Sequence, residues 1–543
     1  MPVTPSSAYI AELRKGTGTP TVRLEVELDS GTVRWGTHLS LSDEVRPLLK
    51  SVTSLQNRLD PQKNWSTRGE LVVVIGGVDI PALIAAERLK NRRVTRYDGF
   101  TSLAYADYAG PTFTGKISNW ENNPDGTLTL TIADDLAEAS KEIPVENAAD
   151  TQYLDYRNMH PMDIMEDMAL TRLGIPSAFF NSAKFAFEGE TWLNGWVFDR
   201  VLTEPKEANR YLNELQVETN SFVIHDGAQI SCKVFAPPLP SESIEEWDDQ
   251  YNVKLRSMLQ KSGYKDRFYN AVLVRYDYNE AGGDSSENFD SGVLAVDAAS
   301  QTQWGETSLM TIYSKWIRSA TFTESNVSGL KVYLASKANG AGAGSLVYTA
   351  ATNSLAYTAP GDAAGEAVKL SKDGKFQVFS ADKTKYVRVL VTPADLPGGD
   401  ATDTITIAAL SGEQYATTLA RKILGRYRDP ASIVSFEVGL INAVYDGAFI
   451  KPTDLKDLST PRAFEFGEAG WDKERLMLTS VRLDGNKVKL EGIETKMYLD
   501  YIYIAPAGYP DAPSATPEQK KRWFIGDANN KINGGTEDGR YIW

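Results

Sequence analysis

Hydrophobic and polar residues alternate strictly over residues 21–37, "TVRLEVELDSGTVRWGT". Val22, Leu24, Val26 and Leu28 fall on every second position, and Asp29-Ser30-Gly31 then turns the chain. A period of two with a turn signal predicts half-buried strands joined as a hairpin. The pattern returns at 113–132, "FTGKISNWENNPDGTLTLTI", with Asp125-Gly126 as the turn and Leu128, Leu130 and Ile132 alternating with threonines. Residues 1–150 therefore predict a mostly β, barrel-like domain.

The period changes after residue 150. "PMDIMEDMALTRL" at 161–173 predicts a short helix, with Pro161 at its start, carboxylates in its early turns, Arg172 in its last turn and Gly174 as its stop. A second helix is predicted over about 204–217 with Thr203 as N-cap, because Ala208, Tyr211, Leu212 and Leu215 form an i, i+3, i+4, i+7 stripe. A hairpin follows, "SFVIH" and "AQISCKVF" around Asp226-Gly227, and Ile230, Cys232 and Val234 share one face of its second strand. The stretch to 318 adds the carboxylates Glu245, Glu246, Asp248 and Asp249, an aromatic strand "AVLVRYDYN", and "GETSLMTIYSKWIRSA", read as a helix.

Residues 319–411 are rich in Gly, Ala, Ser and Thr, and short alternating strands recur between turn signals, which predicts a β-sandwich. "NGAGAGS" within it reads as a loop tip. A helix is predicted at 412–427 from Tyr415, Leu419, Ile423 and Leu424, and a second β domain comes after it. Its hairpin "MLTSVRLDGNKVKLEGIE" echoes 113–132, again with Asp-Gly at the turn. The predicted class is mostly β with an α+β module. The predicted domains are two similar β-barrel-like domains at 1–150 and 412–505, a helix–hairpin module at 151–318, an inserted sandwich at 319–411, and a C-terminal strap at 506–543. In that strap Thr516, Pro517 and Gln519 predict a short helix start. Trp523 and Phe524 at one end, and Tyr541, Ile542 and Trp543 at the other, are candidate partner-contact residues.

Composition narrows the function. A chain of 543 residues exceeds one ordinary core, and roughly three to five domains is the prior. The formal net charge of −15 disfavours stable nucleic-acid or anionic-membrane binding. No stretch approaches the ~18 apolar residues of a membrane span, and the N-terminus lacks a signal-peptide core. One cysteine allows no internal disulfide and no Cys-cluster metal site.

Candidate chemistry is sparse. His38, His160 and His225 are far apart in sequence and belong to no HExxH pattern. No nucleophile elbow, P-loop or complete GxGxxG is present, and Cys232 reads as a core residue. The carboxylates Asp163, Glu166 and Asp167, and Glu245 with Asp248, could serve a glycosidase only if two of them faced each other across a cleft about 5–10 Å apart; a solvated helix start is the simpler reading. "DANNKINGGTED" at 527–538 fails the EF-hand spacing at Lys531 and Ile532. No catalytic residue, cofactor or metal is expected.

Two segments carry a resemblance: "ILGRYRDPASIVSFEV" and the ending "ATPEQKKRWFIGDANNKINGGTEDGRYIW". The order of "LGIPSAFFN" and "WLNGWVFDRVLTEPKEANRYLNELQVETNSFVIHDGAQISCKVF" adds to it. Together they resemble central hub proteins at the tail tip, or baseplate, of tailed bacteriophages and related prophage tail particles, over most of 1–318 and 412–543. The resemblance implies a homotrimeric virion protein, assembled in the host cytoplasm, that closes the distal end of the tail tube. In it, two similar barrel-like domains per chain give a pseudo-sixfold ring. The implied partners are the distal tail-tube ring, the tape-measure protein and tail fibres or receptor-binding proteins, with phage DNA passing through during host entry. Fibres and hydrolases are expected to be separate proteins. Two other readings stand beside it. One is a glycan-binding sandwich using Tyr333, Tyr348, Tyr357 and Tyr386; the other is a tail-associated cell-wall hydrolase using one of the carboxylate groups.

Overall fold

The structure is a computed structural model. It describes the chain outside residues 1–3, 41–42, 54–55, 61–64, 67–68, 78–79, 148–149, 152, 237–243, 255–256, 262–266, 280–287, 324–326, 328–329, 337–343, 372–373, 392–398, 461–470, 485–486, 496–522, 526–530, 533–536, 539 and 543. The fold is mostly β and multidomain, as the patterning predicts.

The alternating residues of the N-terminal region build one eight-stranded sheet. Its order is Val45–Arg46, Gly31–Gly36, Pro20–Leu28, Arg93–Phe100, Ala109–Asn122, Thr127–Ala133, Glu70–Gly76 and Leu49–Val52. Leu24, Val26, Leu71, Val73, Ile75, Phe113, Leu128, Leu130 and Ile132 turn their side chains into a single core. Asp125-Gly126 makes the expected turn, with Gly126 at φ +79°, a conformation that costs a glycine little.

A second sheet has the order Glu245–Asp248, Leu455–Ser459, Glu474–Asp484, Lys487–Glu494, Ile433–Gly439 and Leu259–Lys261. Its core holds Trp247, Val434, Phe436, Val438, Leu458, Leu476, Leu478, Val488 and Leu490. The turn expected at Asp-Gly in its hairpin falls at 485–486, outside the described residues.

The two sheets share a plan. In each, a bulged hairpin is central: Ala109–Asn122 with Thr127–Ala133, and Glu474–Asp484 with Lys487–Glu494. The strand just before the hairpin in sequence pairs with its first arm, and an earlier strand pairs with its second arm. Two still earlier strands close the flanks. Six strands thus occupy the same sheet positions in the same chain order. One direction differs: Pro20–Leu28 pairs antiparallel with its neighbour, whereas Glu245–Asp248 pairs parallel. The first two strands of the second sheet come from 245–261. The sequence reading grouped that stretch with the helix–hairpin module, so this sheet is assembled from two chain segments with 262–432 between them.

The sheets are joined to each other. Gln56–Asp60 leaves the first unit and pairs with Glu474–Asp484, setting Arg58 opposite Ser480 and Gln56 opposite Arg482. The helix Ser7–Lys15, capped by the Ser6 hydroxyl and ended by Gly16, packs Tyr9 and Leu13 against Phe100 and, from the second unit, Leu440, Val444 and Phe449.

The helical module touches both sheets, through Thr114 with His225 and through Met477 and Ile493, and its core gathers the helices Pro161–Asp167, Ser182–Trp192, Ala208–Thr219 and Gly412–Tyr427 with the hairpin Ser221–His225/Ile230–Val234. Three expectations change here. The 161–173 helix ends in a wider π turn over Met168–Arg172. Thr203 is not an N-cap: Lys206–Glu207 is held extended by pairing with Glu142–Ile143, and the helix starts at Ala208. "GETSLMTIYSKWIRSA" is not a helix. Leu309–Tyr313 is a strand parallel to Ala271–Tyr278, with Ile312 buried in the core and Met310 packed against it, after a short helix Ala298–Trp304 that ends at left-handed Gly305.

Residues 320–409 form the expected sandwich. One sheet is Ala320–Phe322, Thr402–Ala409, Gly344–Thr349, Ser354–Thr358 and Val368–Lys369; the other is Val332–Ser336, Tyr386–Val391 and Gly374–Phe379. Near the C-terminus, Trp523–Ile525 is a strand paired with Arg540–Ile542, and the helix start predicted at Thr516, Pro517 and Gln519 lies outside the described residues. A shorter pair, Lys531–Ile532 with Glu537–Asp538, nests between those two strands.

Candidate functional site: frame, junction and assembly surfaces

The carboxylates considered for catalysis are engaged in local structure. Glu166 accepts from the Ser182 hydroxyl at 2.6 Å, and Asp167 accepts from Tyr156 at 2.9 Å and Arg172 at 3.0 Å. Asp163 lies in the first turn of its helix. Glu245 pairs with Lys456 at 2.7 Å and Glu246 with Lys473 at 2.8 Å. The structure thus places these groups on two different elements, a helix and a sheet edge. Among the described residues, no group of three or more His, Cys, Asp or Glu could hold a metal ion. The histidines are structural: His160 Nδ1 caps its helix at Met162 N–H, His225 Nδ1 accepts from Gly227 N–H, and His38 stacks on Tyr105. Cys232 is buried in the module core, which pushes its thiol pKa well above the ordinary value.

A polar junction that sequence reasoning missed lies where the chain enters the sandwich. Asp277, fully buried, accepts from Ser319 N–H at 2.6 Å and from the Ser319 hydroxyl at 2.7 Å. Asp199 accepts from the Thr321 hydroxyl. Glu218 accepts from the Ser314 hydroxyl at 2.5 Å and from Lys315 N–H at 2.9 Å. Arg318, buried, donates to the carbonyls of Asp199 and Tyr278. Burial pushes Glu218 up to about 8 and Asp199 up to about 6, because the low-dielectric surroundings disfavour the charged form. The exit strand is tied to the same place, with Leu410 N–H bonded to Ser319 O at 2.8 Å. Gly412 sits so close that an added Cβ would lie 2.3 Å from Arg318 O. Entry and exit thus form one hydrogen-bonded stem rooted in buried carboxylates. The sequence signal was available as Ser, Arg and Thr crowded into "YSKWIRSATF", but its acidic partners lie 42 to 122 residues earlier.

The candidate glycan residues have separate fates. Tyr348 and Tyr357 fill the sandwich core. Tyr333 is buried with Val201 and Leu390 where the sandwich meets the module, and Arg157 stacks on it. Tyr386 is half-buried, 5.8 Å from exposed Phe379, with Arg388 over its ring. Of the strap residues, Trp523 is opposite Ile542 and Phe524 is opposite Tyr541 in one ladder; Trp543 lies outside the described residues.

No protein-family model matches the chain, and no curated protein matches it. Solved structures do. The chain is similar to the 43 kDa tail protein of prophage MuSo2 from Shewanella oneidensis, with TM-score 0.41 and 9% identity, over 87% of this chain and 98% of that one. It is also similar to the prophage tail protein gp18 from Listeria monocytogenes EGD-e, with TM-score 0.38 and 5% identity, over 88% and 96%. A third is the Francisella PdpA-VgrG complex in its half-lidded form, with TM-score 0.37 and 8% identity, over 98% and 70%. Its structural neighbours include prophage tail proteins.

Proposed function

We propose that this chain is a non-enzymatic structural hub of a phage tail tip or baseplate. Three copies close the distal end of the tail tube, link it to host-recognition proteins and open for DNA delivery. The observation that carries the reading is the shared plan of the two sheets: six strands in the same sheet positions and the same chain order. Two like units bolted side by side in one chain let three chains present six like units around an axis, matching a sixfold tube. The resemblance of the 423–438 and 515–543 segments to tail hubs supports the same reading. The net charge of −15 suits a lumen through which DNA passes without sticking, since carboxylates repel phosphate.

Sedimentation equilibrium of the purified chain tests the proposal: a mass of three chains supports it, and a monomer across the accessible concentration range refutes it. The hydrolase alternative has its own assay. Clearing of a peptidoglycan gel that is abolished by Glu166→Gln or Glu245→Gln would overturn the non-enzymatic reading.

A further inference from the structure

The three-stranded sheet of the module has one covered face and one open face. Its order is Phe289–Val296, Ala271–Tyr278, Leu309–Tyr313. Val272, Val274, Tyr276 and Ile312 point into the core beside the Gly412–Tyr427 helix. The register fixes what the other face carries. Val296, Ala271 and Leu309 make one row; Leu294, Leu273 and Thr311 make the next; Gly292, Arg275 and Tyr313 make the third. Leu294 is 58% exposed, Leu309 52%, Tyr313 47% and Val296 46%. These four large apolar side chains stand exposed on one face of one small sheet, a clustering that often accompanies an interaction site.

Charge decides what fits. Arg275 stands exposed in the third row with no ion pair among the described residues. Asp290, one row beyond, is drawn to Arg388 of the sandwich at 3.8 Å. On a chain of net charge −15 this face is an apolar island with a cation, and it complements an acidic, aromatic partner. A two-fold contact of the face with itself would bring two copies of Arg275 onto a surface whose nearest acid, Asp290, already faces Arg388, whereas a head-to-tail contact can meet Arg275 with an acid from elsewhere on the chain. The same chain carries the complement. Tyr251 is 85% exposed at the edge of the second sheet. The Asp248 carboxylate holds that turn by accepting from Gln250 N–H at 2.8 Å and Tyr251 N–H at 2.7 Å, and no cation among the described residues pairs with it.

We infer that the open face around Leu294 and Arg275 docks the Tyr251 turn of a second copy of this chain, and that this head-to-tail contact closes the ring. The inference rests on the trimeric reading above and names its interface. Ring closure by a heterologous contact needs both surfaces on every copy, and each copy has both.

Sedimentation equilibrium on three full-length proteins tests it: the unaltered chain, Leu294→Glu and Tyr251→Ser. Both substitutions are at exposed positions and should leave the circular dichroism spectrum and melting temperature of the subunit unchanged. Each should weaken association at least 100-fold and give monomers at micromolar concentration. An equimolar mixture of the two variants should form a 1:1 dimer and no trimer, because one intact face meets one intact turn. That mixture also shows that both variants are folded. Variants that remain trimeric overturn the inference while leaving the hub reading in place, as does a mixture that stays monomeric. An unaltered chain that is itself monomeric overturns both.

Discussion

Glu218 offers the sharpest energetic test of the sandwich junction. Its carboxylate is buried against Ser314 and Lys315 N–H, and its pKa rises from the ordinary 4.5 to about 8. A raised acid pKa means the folded chain holds a proton that the unfolded chain releases. Stability from this group is therefore complete below about pH 4.5 and is lost progressively as pH climbs to about 8. At 1.36 kcal/mol per pH unit, the full loss is about 5 kcal/mol. Glu218→Gln keeps the size and the acceptor oxygen but cannot ionise. At pH 8.5 the variant should be more stable than the unaltered chain and melt roughly 4 °C higher, whereas at pH 5 the two should differ by no more than about 1 °C. Differential scanning calorimetry at the two pH values reads this directly. A difference that is the same at both, or a variant less stable at pH 8.5, would refute the assignment of a neutral, buried Glu218.

Other outcomes follow from single contacts. Gly412→Ala pushes a methyl against Arg318 O and should destabilise the stem by about 1–3 kcal/mol, seen as earlier melting and faster proteolysis between module and sandwich. Trp247→Ala empties the core of the second sheet beside Phe436 and should cost about 3–5 kcal/mol in thermal unfolding. Cys232 should resist iodoacetamide at pH 8 in the native chain and react within minutes in urea, since its thiol is both buried and held protonated; rapid native labelling would contradict its place in the core.

Much of the fold was legible because strands and amphipathic helices announce their periods. The alternation from Val22 to Leu28, the stripe from Tyr415 to Leu424 and the sandwich strands all appear where the pattern put them. The errors have local causes. Leu309–Tyr313 is only five residues long, and its apolar Leu309, Met310 and Ile312 fit a helix as well as a strand; pairing with Ala271–Tyr278 decides it. Glu207 lies in an edge pairing that no helical stripe reveals. The discontinuous second sheet was hidden because Glu245–Asp248 meets its partner strand 211 residues later, as in the bond between Lys456 and Glu245. Chain order alone placed the carboxylates in the wrong company. The junction was opaque for the same reason: its acids are polar residues of ordinary appearance, and only burial makes them unusual.

The central claim is that two like sheets in each chain become six around one axis. Cryo-electron microscopy of the purified assembly tests it most directly. The account predicts a threefold particle with six similar β units surrounding an open channel, each sandwich projecting from its stem. A single-copy particle, or an oligomer whose paired sheets do not surround a common axis, would contradict it.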